Sequence, residues 1–106
     1  MFEILHHGAV TGVTGSCHQL KLSHDCSVLI DCGLFQGAEI DDAISADNNP
    51  MLINFPLDGI QALVVSHCHI DHVGRIPYLL AAGFQGPIYA SEATAHLLPL
   101  VIFRNP

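Results

Sequence analysis

Ser66-His67-Cys68-His69-Ile70-Asp71-His72-Val73-Gly74 places four metal-ligating side chains, His67, His69, Asp71 and His72, within six residues. The stretch follows the near-continuous apolar run Gln61-Ala62-Leu63-Val64-Val65-Ser66, which predicts a buried strand. It precedes Arg75-Ile76-Pro77-Tyr78-Leu79-Leu80-Ala81-Ala82, which predicts a helix with Pro77 in its first turn and Gly83 as its C-cap. The four donors therefore sit on a strand-to-helix connection, and in open α/β sheets ligands gather beyond the carboxyl ends of strands. In an extended backbone alternate side chains point the same way, so His67, His69 and Asp71 are expected to converge while His72 turns into the neighbouring position. Neutral imidazole and carboxylate suit Zn2+, with Mn2+ or Fe as substitutes where further carboxylates are added. Such a cluster serves one metal or two. The bland alternative is a set of surface histidines on a connection, and four donors in six residues outweigh it.

Outward from this centre, Ile88-Tyr89-Ala90 predicts a short strand. A second helix is expected to start at Ser91, with Glu92 well placed in its first turn. Toward the N-terminus, residues 2–10 and 17–24 predict two half-buried strands joined through the Gly-rich link Thr11-Gly12-Val13-Thr14-Gly15. The second alternates, with Leu20 and Leu22 on one face and Gln19 and Lys21 on the other. A turn at His24-Asp25-Cys26-Ser27 leads into the apolar run Val28-Leu29-Ile30, a more deeply buried strand ending at Asp31. From Gly33 to Pro56 the density of Gly, Asp, Asn and Pro predicts a long loop with one short helix. Strands first, then a strand-helix-strand-helix unit, give an α/β layered fold.

Half of the 106 residues are hydrophobic and 12% are charged, which excludes intrinsic disorder. Three Lys+Arg against ten Asp+Glu leave a net charge of -7, so this stretch offers no broad basic face for a phosphate backbone. The start Met1-Phe2-Glu3-Ile4 has no basic region ahead of an apolar core, and apolar runs such as Leu100-Val101-Ile102-Phe103 are far too short to span a bilayer. A cytoplasmic protein with no membrane partner is the expectation. Cys17, Cys26, Cys32 and Cys68 contain no CxxC pair and read as small buried hydrophobes. Eight histidines are an excess for this length. Outside the central stretch, His6, His7, His18, His24 and His96 are expected to be ordinary structural residues, with His6-His7 beside Gly8 the best of them for lying near the site.

His67-Cys68-His69-Ile70-Asp71-His72 resembles the HxHxDH signature of the metallo-β-lactamase superfamily. Val13-Thr14-Gly15-Ser16-Cys17, Asp31-Cys32-Gly33-Leu34-Phe35-Gln36-Gly37, Asp71-His72-Val73-Gly74-Arg75-Ile76-Pro77-Tyr78-Leu79 and Gly86-Pro87-Ile88-Tyr89-Ala90 more specifically resemble its β-CASP branch of RNA-processing nucleases. The resemblance runs from about Gly8 to Leu100. It implies the N-terminal half of an αββα sandwich, a partial domain over residues 1–106, with the β-CASP insertion and the C-terminal half absent. It further implies that His67 and His69 bind a first zinc and Asp71 and His72 a second, the latter two closest to catalysis. Asp31 is then a structural residue at the base of the site, while Gly33 and Gly74 permit close backbone approach or tight turns.

The function implied is zinc-dependent hydrolysis of RNA phosphodiesters by a metal-activated water in the complete protein, with RNA as the partner. A small-substrate metallo-hydrolase, a glyoxalase II-like thioesterase or a lactonase, is the second reading within the enzyme class. The third is a non-catalytic metal-binding or interaction fragment that self-associates through an exposed half-domain face. The superfamily needs further histidine and aspartate ligands from later loops, and beyond His72 the sequence offers only His96 and Glu92. Activity of this chain by itself is therefore left open.

Overall fold

The structure is a computed structural model that describes residues 2–8, 14–35 and 52–103. The described elements are β1 (Glu3–Gly8), β2 (Cys17–Ser23), β3 (Cys26–Ile30), β4 (Ile60–Val64), α1 (Ile70–Val73), α2 (Ile76–Ala81), β5 (Ile88–Tyr89) and α3 (Glu92–Phe103). The five strands form one sheet in the order β1-β2-β3-β4-β5. β1, β2 and β3 pair antiparallel, and β3-β4 and β4-β5 pair parallel. The parallel β3-β4 pairing sets the carboxyl ends of both strands at the same edge of the sheet. Asp31 leaves one and Ser66-His67 leaves the other, which is what brings residues 35 apart in sequence together.

The expected elements are present with small shifts of their ends. Pro77 stands in the first turn of α2, and Gly83 follows it at φ 112, a conformation that L side chains rarely adopt. Ser91 Oγ accepts the Thr94 N–H at 3.2 Å and caps the start of α3. The helix nonetheless carries Pro99 in its interior. Most of the expected loop and its short helix, residues 36–51, and Thr11-Gly12-Val13 of the Gly-rich link lie outside the described residues.

Helical packing covers one face of the sheet. Cys17, Leu29, Leu63 and Val65 from the strands and their extensions meet Val73, Ile76, Leu79 and Leu98 from the helices, with Cys32, Ile60 and Phe84 completing the core. The alternation of β2 is real, but its inward face is the polar one: Gln19 is buried and Leu22 is 49% exposed. Gln19 is tolerated there because its amide is satisfied on both sides, Nε2 donating to Ser27 Oγ and Oε1 accepting from His7 Nε2, each at 2.8 Å. His7 in turn stacks on Phe55 with ring centroids 3.7 Å apart. The opposite face of the sheet carries Ile4, Leu22, Val64 and Tyr89, all exposed. Among the described residues the architecture is thus one sheet with one helical layer.

Of the cysteines, Cys17 and Cys32 are fully buried as expected, whereas Cys26 and Cys68 are only half-buried. A hydrogen bond to Cys32, reinforced by burial, pushes the Cys17 thiol far above its ordinary range and keeps it protonated.

Candidate metal centre

Three segments are laced together by main-chain hydrogen bonds beneath the candidate donors. Ser16 N donates to Asp71 O at 3.0 Å, Cys32 N to His72 O at 2.8 Å, Gly33 N to Ser16 O at 2.8 Å, and Leu34 N to Ile70 O at 3.0 Å. Close approach is required for this: a Cβ on Gly33 would collide with the Asp71 carbonyl, and one on Gly74 would meet Leu34 Cβ at 2.5 Å and Ile70 O at 2.6 Å. Both glycines therefore serve packing, one of the two roles expected of them.

The donor stretch is not extended throughout. His69 is extended at φ -70 and ψ 147, and Ile70–Val73 then closes into the short helix α1 with His69 as its N-cap. The alternation expected for His67, His69 and Asp71 therefore holds only for its first two members, because one helical turn carries Asp71 and His72. The rings of His67 and His69 meet edge to face at 4.8 Å between centroids, and His67 also lies 3.9 Å from His72. Asp71 Oδ2 stands 3.5 Å from His72 Nε2.

Asp31 orders this arrangement from below. It is 3% exposed and sits at φ 65, in the left-handed region that Asp and Asn enter more readily than most residues. Its Oδ1 accepts the Ser66 N–H at 2.7 Å, and its Oδ2 accepts Ser66 Oγ–H at 2.7 Å and His72 Nδ1–H at 2.8 Å. Ser16 Oγ donates to the same oxygen at 3.4 Å. Because the Ser66 hydroxyl has one hydrogen and gives it to Asp31, its 3.1 Å contact with His67 Nδ1 makes the imidazole the donor. Both His67 and His72 are thus held in the tautomer that leaves Nε2 with its lone pair. This is the outer-shell arrangement that orients ligating histidines.

The donor set fits divalent metal in pairs. Two donors on one tetrahedral ion with bonds of about 2.1 Å stand about 3.4 Å apart, and the Asp71–His72 separation of 3.5 Å matches. Among the described residues no group of three His, Cys, Asp or Glu side chains is arranged to hold a metal ion. What the stretch offers is one donor pair at ligating separation, Asp71 with His72, and a His67 ring that neighbours both His69 and His72.

Sequence reasoning did not identify Ser66 as the link between Asp31 and His67, nor Arg75. Arg75 is 2% exposed; its Nε donates to Gly33 O, its Nη2 to Gly15 O at 3.5 Å, and its guanidinium lies 4.7 Å from the Phe35 ring centroid. A buried cation bonded to two carbonyls and an aromatic face clamps the 15, 33–35 and 75 segments. The signal in the sequence was an arginine within an otherwise apolar helix start. Of the other histidines, His6 pairs with His18, and His7 with Gln19 and Phe55.

Residues 10–104 match the metallo-beta-lactamase superfamily. Ribonuclease TTHA0252 of Thermus thermophilus is 40% identical over 100 residues, covering 94% of this chain and 22% of that protein. Transcription termination factor FttA of Cenarchaeum symbiosum is 36% identical, covering 85% of this chain and 14% of that protein. For Integrator complex subunit 11 of Gallus gallus the values are 32%, 90% and 16%. The chain thus spans at most 22% of the length of these three relatives. Among solved structures, a metallo-beta-lactamase of Cronobacter sakazakii matches with a TM-score of 0.52 at 25% identity, covering 81% of this chain and 29% of that one. The MIM-2 metallo-beta-lactamase matches with a TM-score of 0.50 at 31% identity, covering 81% and 30%. Strand-end histidines set in their ligating tautomer, the sheet and helical layer beneath them and a match over nearly the whole chain agree that it belongs to the metallo-β-lactamase superfamily.

Proposed function

We propose that residues 1–106 supply the N-terminal, metal-ligating portion of a zinc-dependent RNA nuclease of the β-CASP branch, the remaining ligands coming from a longer protein. Mn2+ or Fe is the alternative metal. The observation that carries this reading is the Asp31-Ser66 system, which fixes His67 and His72 with Nε2 free while Asp71 Oδ2 stands 3.5 Å from His72 Nε2. The names of the relatives, a ribonuclease at 40% identity among them, support RNA as the substrate class. The share of those relatives that the chain spans supports the partial-domain reading.

His67 and His69 would hold one metal ion, and Asp71 and His72 a second. Bound there, divalent metal supplies an activated water and neutralises charge developing on a phosphoryl group. The chain's own residues do the positioning. Asp31 holds the Nδ1 proton of His72, Ser66 accepts that of His67, and the Asp71 carboxylate beside His72 Nε2 would orient an attacking water. Arg75, one of three Lys/Arg residues in the chain, is buried and spent on carbonyls. The cationic surface that RNA needs must therefore come from outside these residues. Among the described residues no helix is long and apolar enough to cross a membrane, and a cytoplasmic site of action accords with this.

Labelled single-stranded RNA, given to the longer protein that carries these residues, tests the reading. Zinc-dependent cleavage that disappears in His69→Ala is expected. Turnover of thioesters or lactones without RNA cleavage would replace it with the small-substrate hydrolase. Zinc binding with neither activity, accompanied by self-association in light scattering, would replace it with the interaction fragment.

A further inference from the structure

On the face of the sheet away from the helices, His6 of β1 and His18 of β2 are directly opposed in the strand register. Their Nδ1 atoms are 2.8 Å apart and their rings stand edge to face, 82° between planes and 4.9 Å between centroids. The contact is a hydrogen bond, so one Nδ1 carries the hydrogen and the other the lone pair. His6 is exposed and His18 half-buried, leaving the pair open to solvent on one side. Its hydrogen bond is internal to β1 and β2, while His72 and Asp31 lie near enough for their charges to act on His18, which pairs with Ile30 of β3.

We propose that His6 and His18 form a second binding site, for a divalent transition-metal ion of the imidazole-seeking class such as Ni2+, Cu2+ or Zn2+. Two donors at right angles on an ion with bonds of about 2.0 Å stand about 2.8 Å apart, the separation of neighbouring ligands in square-planar and octahedral coordination. The hydrogen-bonded nitrogens stand at that separation, close enough for both to reach one ion once the rings turn. Binding requires two adjustments: each ring turns about χ2 so that its lone pair leaves the N–N line, and the shared hydrogen moves from Nδ1 to Nε2 of the same ring. Both rings stay neutral, so no proton is released. Burial, assisted by the neighbouring His6, lowers the proton affinity of His18, which keeps the pair in the ligating form near neutral pH. Pairing across two antiparallel strands preorganises both side chains and lowers the ordering cost of chelation. Water completes the shell, because the two rings occupy adjacent positions only. The inference does not depend on the function proposed for the motif histidines.

Ni2+ alone is the probe, added to the chain carrying His67→Ala and His69→Ala to silence half of the motif set. Ring resonances of His6 and His18 are expected to broaden together at the lowest additions, ahead of His24 and His96. In the same background His6→Gln should weaken Ni2+ binding by about tenfold or more, about 1.4 kcal/mol, in a calorimetric titration. Unchanged far-UV circular dichroism in that variant shows the loss to be local. Rings that stay sharp, broadening of only one of the two, or an affinity unmoved by His6→Gln would each overturn the proposal. The resonance readout needs no substitution at the pair itself, so a poorly folding His6 variant does not remove the test.

Discussion

Replacing Asp31 by asparagine should loosen the candidate metal centre while leaving the backbone around it intact. Asparagine enters the left-handed region about as readily as aspartate, so φ 65 at this position is not the source of the effect. With its carbonyl on the Ser66 N–H, the new side chain presents an NH2 group where Asp31 Oδ2 accepted Ser66 Oγ and His72 Nδ1, at 2.7 and 2.8 Å. The serine can turn and accept. His72 cannot remain as it is, since two N–H groups would face each other. It must move away or shift its proton to Nε2, and a protonated Nε2 has no lone pair for a metal. All three short bonds to residue 31 lose their charge assistance, each worth about 1 kcal/mol more than a neutral bond, which sums to about 3 kcal/mol of folding stability. Disturbing an outer-shell partner lowers metal affinity by about 10- to 100-fold. Asp31→Ala should cost more, about 4 kcal/mol, because it also leaves buried donors without acceptors and places alanine at positive φ. Urea unfolding of the metal-free chain and calorimetric zinc titration read the two quantities. Stability within about 0.5 kcal/mol of the parent together with undiminished zinc affinity in Asp31→Asn would refute the assigned role.

Arg75→Lys keeps the charge but cannot span the Gly33 and Gly15 carbonyls or stack on Phe35; a loss of about 2 kcal/mol is expected in urea unfolding, and an unchanged midpoint would contradict the clamp. Gly33→Ala drives a methyl group into the Asp71 carbonyl and should cost about 2–3 kcal/mol, lowering Tm by about 10–20 °C in calorimetry. The acid side of the stability curve should depend on His18. Its affinity for a proton is lower in the folded chain than its ordinary value of 6.5, so its contribution is complete above that pH and is lost as pH falls below it. His18→Gln should flatten the fall in stability below about pH 6.5, read by unfolding at a series of pH values. An equally steep fall in that variant would assign the acid sensitivity elsewhere.

The donor stretch was legible in the sequence because metal ligation demands particular side chains, and four of them in six residues declare themselves without any knowledge of the fold. Its geometry was less legible, since a single turn of helix at Ile70–Val73 replaces alternation by a 100° step and brings Asp71 beside His72. The same limit applies to β2. Hydrophobicity places Leu20 and Leu22 toward a core, yet the buried face of β2 carries Cys17 and Gln19, because His7 and Ser27 satisfy the Gln19 amide from the flanking strands. That inversion is physically consistent once both faces of the sheet are considered. A sheet inside a sandwich needs two apolar faces, and the leucine face, with Ile4, Val64 and Tyr89, is the one that no described helix covers. Alternation in a single strand reports that its faces differ; which face meets the helices is decided by cross-strand partners that a one-strand reading does not contain. Asp31 illustrates this at the site itself. The sequence marks it as the end of a strand, but its function depends on Ser66 and His72, brought to it by the parallel pairing of β3 with β4.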